Sequence, residues 1–308
     1  MMPIEKSAPG KVILCGEHSV VYGYPAIATP VHDVRTIVQA VAQPKGTGLL
    51  IHAVDLGKTF SIKHPFRENP LVRTAQLVLD TVGCPEPDVQ LTITSQIPIA
   101  AGMGSGAAVT VATIRTLSAY LGQNLENESV SDLTFEIEKI YHGAPSGIDN
   151  TVITWERPVY FRKGHPPVFC EIGTTFHLLI ASCGIPASTR KAINFVREHL
   201  AAEAQHVKSI FNHIGTLTDK VSAALAHGQL TEMGKQLSLN HKLLVDLGVS
   251  TEKLDGMVSS ALTAGALGAK LTGSGQGGNI IALVEENQIA PVRQALANAG
   301  SHHIWHTR

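Results

Sequence analysis

Short apolar runs rich in β-branched residues mark the first hundred positions. Lys11–Cys15, Arg35–Val41, residues 48–54 and Asp88–Thr94 carry this pattern and predict strands. The spacing then changes to that of a helix. A short helix is predicted over 70–83. A glycine-rich loop at 101–106 opens a helix of about four turns, with Val111, Ile114, Leu117 and Leu121 on one stripe and Gly122 as its stop. A second helix is predicted from Ser129 to His142, with Val130, Leu133, Ile137 and Ile140 on one face. It ends at Gly143, in the loop Ala144-Pro145-Ser146-Gly147. Arg162–Pro167 is turn-rich and divides the chain into segments 1–165 and 166–308. Beyond it, Leu178–Ala181 predicts a strand. Helices are predicted over 189–200, 203–227, 230–246 and 251–266. Strands at Ala269–Thr272 and Asn279–Val284, a helix over 290–299 and a short terminal strand complete the pattern. Strands and helices mix without strict alternation, which points to an α+β chain and not a doubly wound α/β sheet.

Composition narrows the functional classes. The 308 residues are 44% hydrophobic and 16% charged, with 24 basic against 25 acidic side chains. That near-neutral balance gives no electrostatic footprint for nucleic acid or an anionic membrane. No apolar run reaches the ~20 residues that span a bilayer, and the N-terminal residues lack a signal-peptide core, so a cytoplasmic globular protein is expected. Four scattered cysteines, at 15, 84, 170 and 183, suggest neither a disulfide framework nor a zinc ribbon.

Three glycine clusters carry the candidate chemistry. Ala8-Pro9-Gly10-Lys11 precedes a strand that ends in Gly16-Glu17-His18. The run Ile97–Ala108 follows a strand and opens a helix, where small residues and unpaired N–H groups suit a phosphate. Gly273–Gly278 lies between two apolar strands and allows close backbone approach to a ligand. The P-loop pattern fails at Gly57-Lys58-Thr59, because His52 stands where its first glycine belongs. The dinucleotide pattern fits formally at Gly102–Ala107 and Gly273–Gly278. The second match runs into a strand, and the first has no acidic residue at the end of a following strand. Glu138, late in a helix, and Asp149, just past a Pro/Gly turn, are candidates for a metal ligand and a base. The bland alternatives are a solvated helix face for Glu138 and an Asx turn with Asn150 for Asp149. The histidines, among them His302, His303 and His306, get no role.

The order and spacing of Pro9-Gly10-Lys11, Gly16-Glu17-His18, Gly102–Ala108 and Gly273–Gly278 resemble the three signature motifs of the GHMP small-molecule kinases. Within that family, Ser7–Gly23 and His142–Asn150 resemble the members that phosphorylate mevalonate. The resemblance implies an N-terminal ATP- and substrate-binding domain like ribosomal protein S5 domain 2 and a ferredoxin-like C-terminal domain, with the active site between them. It implies transfer of the ATP γ-phosphoryl group to the 5-hydroxyl of mevalonate, with Mg²⁺. Pro98, Ala101, Gly102, Met103, Gly104, Ser105, Gly106, Ala107 and Ala108 would wrap the triphosphate. Glu138 and Ser105 would hold Mg²⁺. Asp149 would take or orient the hydroxyl proton. Lys11 would pair with Asp149 and screen the transferring group. Glu17, His18 and Thr189 would join Lys11 and Asp149 around the substrate. The family often forms homodimers, an open expectation here.

Two departures stand out. The usual second motif reads Gly-Leu-Gly-Ser-Ser-Ala-Ala, and its second serine is a Mg²⁺ ligand in the mevalonate enzymes; here Gly106 stands in its place and Met103 replaces the leucine. In the third motif Ser274, Gln276 and Asn279 replace what is often Ala, Gly and Cys. The rival expectations are phosphorylation of the 3-hydroxyl, of phosphomevalonate or of a sugar, and a non-catalytic regulator of the same fold. A phosphorylated substrate would call for extra cations, for which Arg190 and Lys191 are ambiguous candidates.

Overall fold

The computed structural model describes residues 3–63, 69–98, 102–142 and 145–308. Among them are eleven strands and nine α-helices, in two compact units. The first unit comprises Met1–Gly10, Val34–Ile99 and Gly104–Glu156, and the second Lys11–Asp33, Ala100–Met103 and Arg157–Arg308. Strands β1 (Ile4–Cys15) and β2 (Ala26–Ala42) each contribute residues to both.

In the first unit, Thr36–Ala42 of β2 pairs antiparallel with β5 (Val89–Ser95). Strand β5 runs parallel to β3 (Leu49–Ala53), which pairs antiparallel with β4 (Lys58–Ser61). Helix α1 (Pro70–Val82) starts where expected, because the Asn69 side chain accepts from the N–H groups of Leu71 and Val72 and Pro70 needs no donor. Helix α2 (Ser105–Tyr120) packs against α1, α3 (Asn127–His142) and β5. Its burial is broader than the predicted stripe: Ala107, Ala108, Thr110, Ala112, Thr113 and Thr116 are also buried. Some hydroxyls on this helix bond to main-chain carbonyls, as when Thr116 Oγ1 donates to Ala112 and Val38.

A further helix, α4 (Ile148–Trp155), stands where the sequence pattern gives only a turn. The left-handed Gly147 starts it, and the Asn150 side chain, buried, donates to Ser131 Oγ on α3 at 2.8 Å. Its C-terminal end is tied by charge. The carboxylate of Glu156 meets Arg35 in a bidentate pair (3.0 and 3.1 Å) and Arg115 at 2.9 Å, all about a quarter exposed. Glu156→Gln leaves two guanidiniums facing a neutral amide, and is expected to lower unfolding stability by about 2 kcal/mol, read as a shifted urea midpoint.

In the second unit, Ala26–Ala28 of β2 pairs with β6 (Val159–Phe161), which pairs with β7 (Val168–Phe169). A separate antiparallel sheet has the order β11-β8-β10-β9, formed by β8 (His177–Ser182), β9 (Gly268–Thr272), β10 (Asn279–Val284) and β11 (His303–Thr307). Every residue of β9 and β10 is buried, which is why Ile280–Val284 reads as a continuous apolar run and not as an alternating one. Helices α5 (Thr189–Ala202), α6 (Ala204–Ala226), α7 (Leu230–Asp246), α8 (Glu252–Thr263) and α9 (Ile289–Asn298) follow the predicted spans within a few residues. Val207, Phe211, Leu244, Leu254 and Met257 from these helices form one core with Leu179, Leu271 and Ile280 of the sheet. Helix α7 and β9 touch backbone to backbone, since a Cβ on Gly268 would lie 2.0 Å from the Gly234 carbonyl oxygen.

Candidate active site

The three glycine clusters meet in the second unit, around Lys11. Lys11 is on β1 and only 5% exposed. Its main-chain N–H donates to the Met103 carbonyl at 3.0 Å, and its ammonium donates to the Gly102 carbonyl at 3.2 Å. The first cluster therefore holds the entrance of the second. The third joins them through Thr272, whose Oγ1 both accepts from Ile13 N and donates to Ile13 O at 3.0 Å. Gly273 lies near Gly102, since a Cβ on Gly273 would stand 3.8 Å from the Gly102 Cα and carbonyl oxygen. From Gly273 the chain runs through left-handed backbone at Gly275, Gln276, Gly277 and Gly278. Main-chain bonds pin this loop: Gln276 N–H to Val249 O and Gly278 N–H to Ile185 O, each 2.8 Å. Side-chain-free positions are needed here, because a Cβ on Gly275 would lie 2.1 Å from Val249 O.

Beyond β1, the left-handed Gly16 turns the chain into Glu17 and His18. Glu17 and His18 are both buried. The Glu17 carboxylate pairs with Lys270 Nζ of β9 and accepts from Asn240 Nδ2 of α7 at 3.1 Å. His18 Nε2 donates to the Ser274 carbonyl at 3.0 Å, which places its proton on that nitrogen. Burial, and after it the Lys270 charge, hold the imidazolium pKa down to about 4, against the bond to Ser274; the ring is neutral near pH 7. Neighbouring Cys15 is a packing residue, as expected: burial first and the Glu17 charge second push its thiol up to about 12.

The second cluster continues in the first unit. Gly104 is left-handed and precedes Ser105, the first residue of α2. The first ladder bond runs from Ala108 N–H to the Gly104 carbonyl at 2.9 Å, so the N–H groups of Ser105, Gly106 and Ala107 lie outside the helix's own ladder. Free N–H groups at a helix start are the arrangement that suits an anion. Met103, Ala107 and Ala108 are buried, while Pro98, Gly102, Ser105 and Gly106 are partly exposed. Ala101 lies outside the described residues, as do Ile99, Ala100, Gly143 and Ala144.

Glu138 is buried on α3, so the solvated-face alternative does not hold. Asp149 is partly exposed in the first turn of α4, so it sits in a helix and not in an Asx turn with Asn150. Thr189 is exposed at the start of α5, after the cap Ser188. Sequence reading missed Lys270 and Asn240. A signal for Lys270 was present: one lysine interrupts the apolar run Ala269–Thr272.

Two family models match this chain: the GHMP kinases N terminal domain over residues 69–156 and the GHMP kinases C terminal domain over 221–302. The chain belongs to the GHMP kinases. A mevalonate kinase of Thermococcus onnurineus is 37% identical over 322 aligned positions, covering 97% of this chain and 94% of that protein. Among solved structures, the Methanococcus jannaschii mevalonate kinase superposes with a TM-score of 0.89 at 26% identity, covering 100% of this chain and 98% of the other. The L. major mevalonate kinase in complex with R-mevalonate gives 0.85 at 29% identity, over 99% and 95%. The α+β expectation and the two-domain GHMP kinase fold both hold. The matched models span the second glycine cluster, Gly102–Ala108, and the third, Gly273–Gly278, and the first precedes them.

Proposed function

We propose that this GHMP kinase transfers the γ-phosphoryl group of ATP to the 5-hydroxyl of mevalonate. The observation that carries the reading is Lys11, buried and bonded by main chain and ammonium to the first residues of the glycine turn that leads into α2. The near full-length likeness to proteins named mevalonate kinase supports the choice of acceptor. We assign residues 1–165 to the ATP- and substrate-binding part and 166–308 to the C-terminal part, and the two matched models fall one in each.

In this reading, Pro98 and Ala101–Ala108 cradle the triphosphate. The hydroxyl oxygen of the acceptor forms a bond to the γ-phosphorus as the bond to the β,γ-bridging oxygen breaks, and ADP leaves. Asp149 takes the hydroxyl proton. Lys11 offsets charge on the transferring group. His18 and Thr189 shape the acceptor pocket with Lys11. Glu17 serves the same pocket by holding the turn that carries His18.

The donor set fits Mg²⁺. Glu138 and Ser105 offer hard oxygen ligands, and among the described residues no group of three or more His, Cys, Asp or Glu could hold a metal by itself. Such a sparse set suits an ion that keeps waters and phosphate oxygens in its shell. When bound, Mg²⁺ would neutralise charge on the β- and γ-phosphates. A serine in the first turn of α2 would add one oxygen ligand. Gly106→Ser is therefore expected to lower the Mg²⁺ concentration for half-maximal rate by about fivefold, measured by metal titration at saturating ATP.

The experiment is a coupled ADP-release assay with mevalonate, phosphomevalonate, galactose and homoserine, with the phosphorylated position of the product read by NMR. Turnover on mevalonate at the 5-oxygen is expected. A product at the 3-oxygen, or turnover only on another acceptor, overturns the assignment while leaving the family membership intact.

A further inference from the structure

We propose that Glu17 and Lys270 are a buried positioning pair that fixes the His18 ring by locking the first glycine turn onto the strand leading to the third, and that neither side chain touches the acceptor. The inference rests on His18 belonging to the acceptor pocket. Glu17 is 1% exposed and Lys270 is fully buried. Both carboxylate oxygens of Glu17 are taken inside the protein: Oε1 by Lys270 Nζ and Oε2 by Asn240 Nδ2. Lys270 Nζ also donates to the Leu271 carbonyl at 2.6 Å, and the Leu271 N–H donates to His241 Nδ1 at 3.3 Å. Each carboxylate oxygen of Glu17 and two of the three ammonium protons of Lys270 are thus engaged inside the protein, where both side chains are buried.

Its effect on His18 follows from the chain. Lys270 and Thr272 are two apart on β9, so they project to one side of the strand. Thr272 brackets the backbone of Ile13, and Lys270 takes Glu17. The strand thus grips the first motif twice within five residues. His18 follows at once, with φ of 62°, a left-handed conformation that a histidine holds only where its surroundings impose it. The constraint comes from both sides. Glu17 is anchored before it, and its own Nε2–H is bonded to Ser274, two residues past Thr272. With the proton fixed on Nε2, Nδ1 is left as an acceptor, which suits a substrate hydroxyl. A buried ion pair is seldom better for stability than two apolar side chains of the same volume, so its presence between two motifs is better explained by the geometry that it sets.

The test uses the full chain with ATP and mevalonate. Glu17→Gln and Lys270→Met are each expected to raise the KM for mevalonate about tenfold or more, with the KM for ATP within about twofold. If the single variants do not fold, Glu17→Gln with Lys270→Met removes both charges. That double variant should regain the thermal midpoint yet keep the raised KM for mevalonate. Unchanged KM in the single variants, or a double variant that regains both midpoint and KM, overturns the proposal in favour of a role in stability alone. Histidine ¹⁵N NMR reads the pair without any substrate. The His18 signals, found by difference against His18→Gln, should show the Nε2–H tautomer in the wild type and lose it in the double variant. A wild type inactive on mevalonate overturns the functional reading, and a tautomer that stays fixed in the double variant overturns this one.

Discussion

Asp149→Asn is expected to lower kcat by about 10³-fold while leaving ATP affinity within about twofold. The substitution keeps the shape of the side chain and removes only its charge and basicity. The helix that carries it is held at three further points. Asn150 holds α4 to α3 through Ser131, the Thr151 hydroxyl bonds back to the Gly147 carbonyl at 2.8 Å, and Glu156 ties the far end to Arg35 and Arg115. The nucleotide cradle at Gly102–Ala108 is a different segment, built on backbone groups. A loss of turnover with ATP affinity and thermal midpoint unchanged therefore reports on proton transfer. Single-turnover kinetics give the chemical step, and calorimetric titration with ATP gives the affinity. A variant that retains a tenth of the wild-type turnover would show that Asp149 is not the base.

The fold was most legible where pattern and burial agree. Helices α5 to α9 carry an apolar face and a polar one, and their ends match the spacing of the residues that reach the core. The helix α4 was not legible, and its composition explains why. Ile148, Thr151, Val152, Ile153 and Thr154 are β-branched, a composition that favours a strand. Burial on nearly every side overrides that preference, since Ile148 and all of Asn150–Thr154 are buried. Only a left-handed glycine marks its start. The first half of β2 was missed for a related reason: Ala26–Asp33 contains Pro30 and lacks the alternation seen over 35–41.

The site was legible in part. Glycine clusters announce themselves because few other residues can take their backbone, and the candidate carboxylates and Lys11 follow from spacing and resemblance. What spacing cannot show is which charged residue another one faces. Lys270 is 253 positions from Glu17, and only the fold brings them together. Nor could the sequence show how two neighbouring residues of one motif differ in their partners. Glu17 and His18 are adjacent in one motif. The structure gives the first a partner inside the protein and the second a bond to a loop carbonyl.

Gly16→Ala is expected to be the most destabilising glycine substitution in the first motif, by about 4 kcal/mol, or roughly 8 °C in thermal midpoint for a chain of this size. Two costs add. The φ of 103° at Gly16 is strained for any side chain. A Cβ there would also stand 2.4 Å from Ala26 Cα and Cβ and 2.5 Å from the Pro25 carbonyl oxygen. These are mostly backbone atoms, and they cannot yield easily, because Ala26 pairs with Phe161 in the sheet. Gly23, seven residues on, separates the two costs. Its φ is 89°, similarly left-handed, but nothing lies within 4 Å of where its Cβ would be. Gly23→Ala should therefore lose only the conformational part, about 1 kcal/mol. Thermal unfolding of the two variants side by side decides the matter. Equal losses would mean that backbone strain alone sets the requirement for glycine. A much larger loss at Gly16 would mean that the close approach of the β2 backbone sets it. In that case the turn that presents Glu17 and His18 admits no side chain at its pivot.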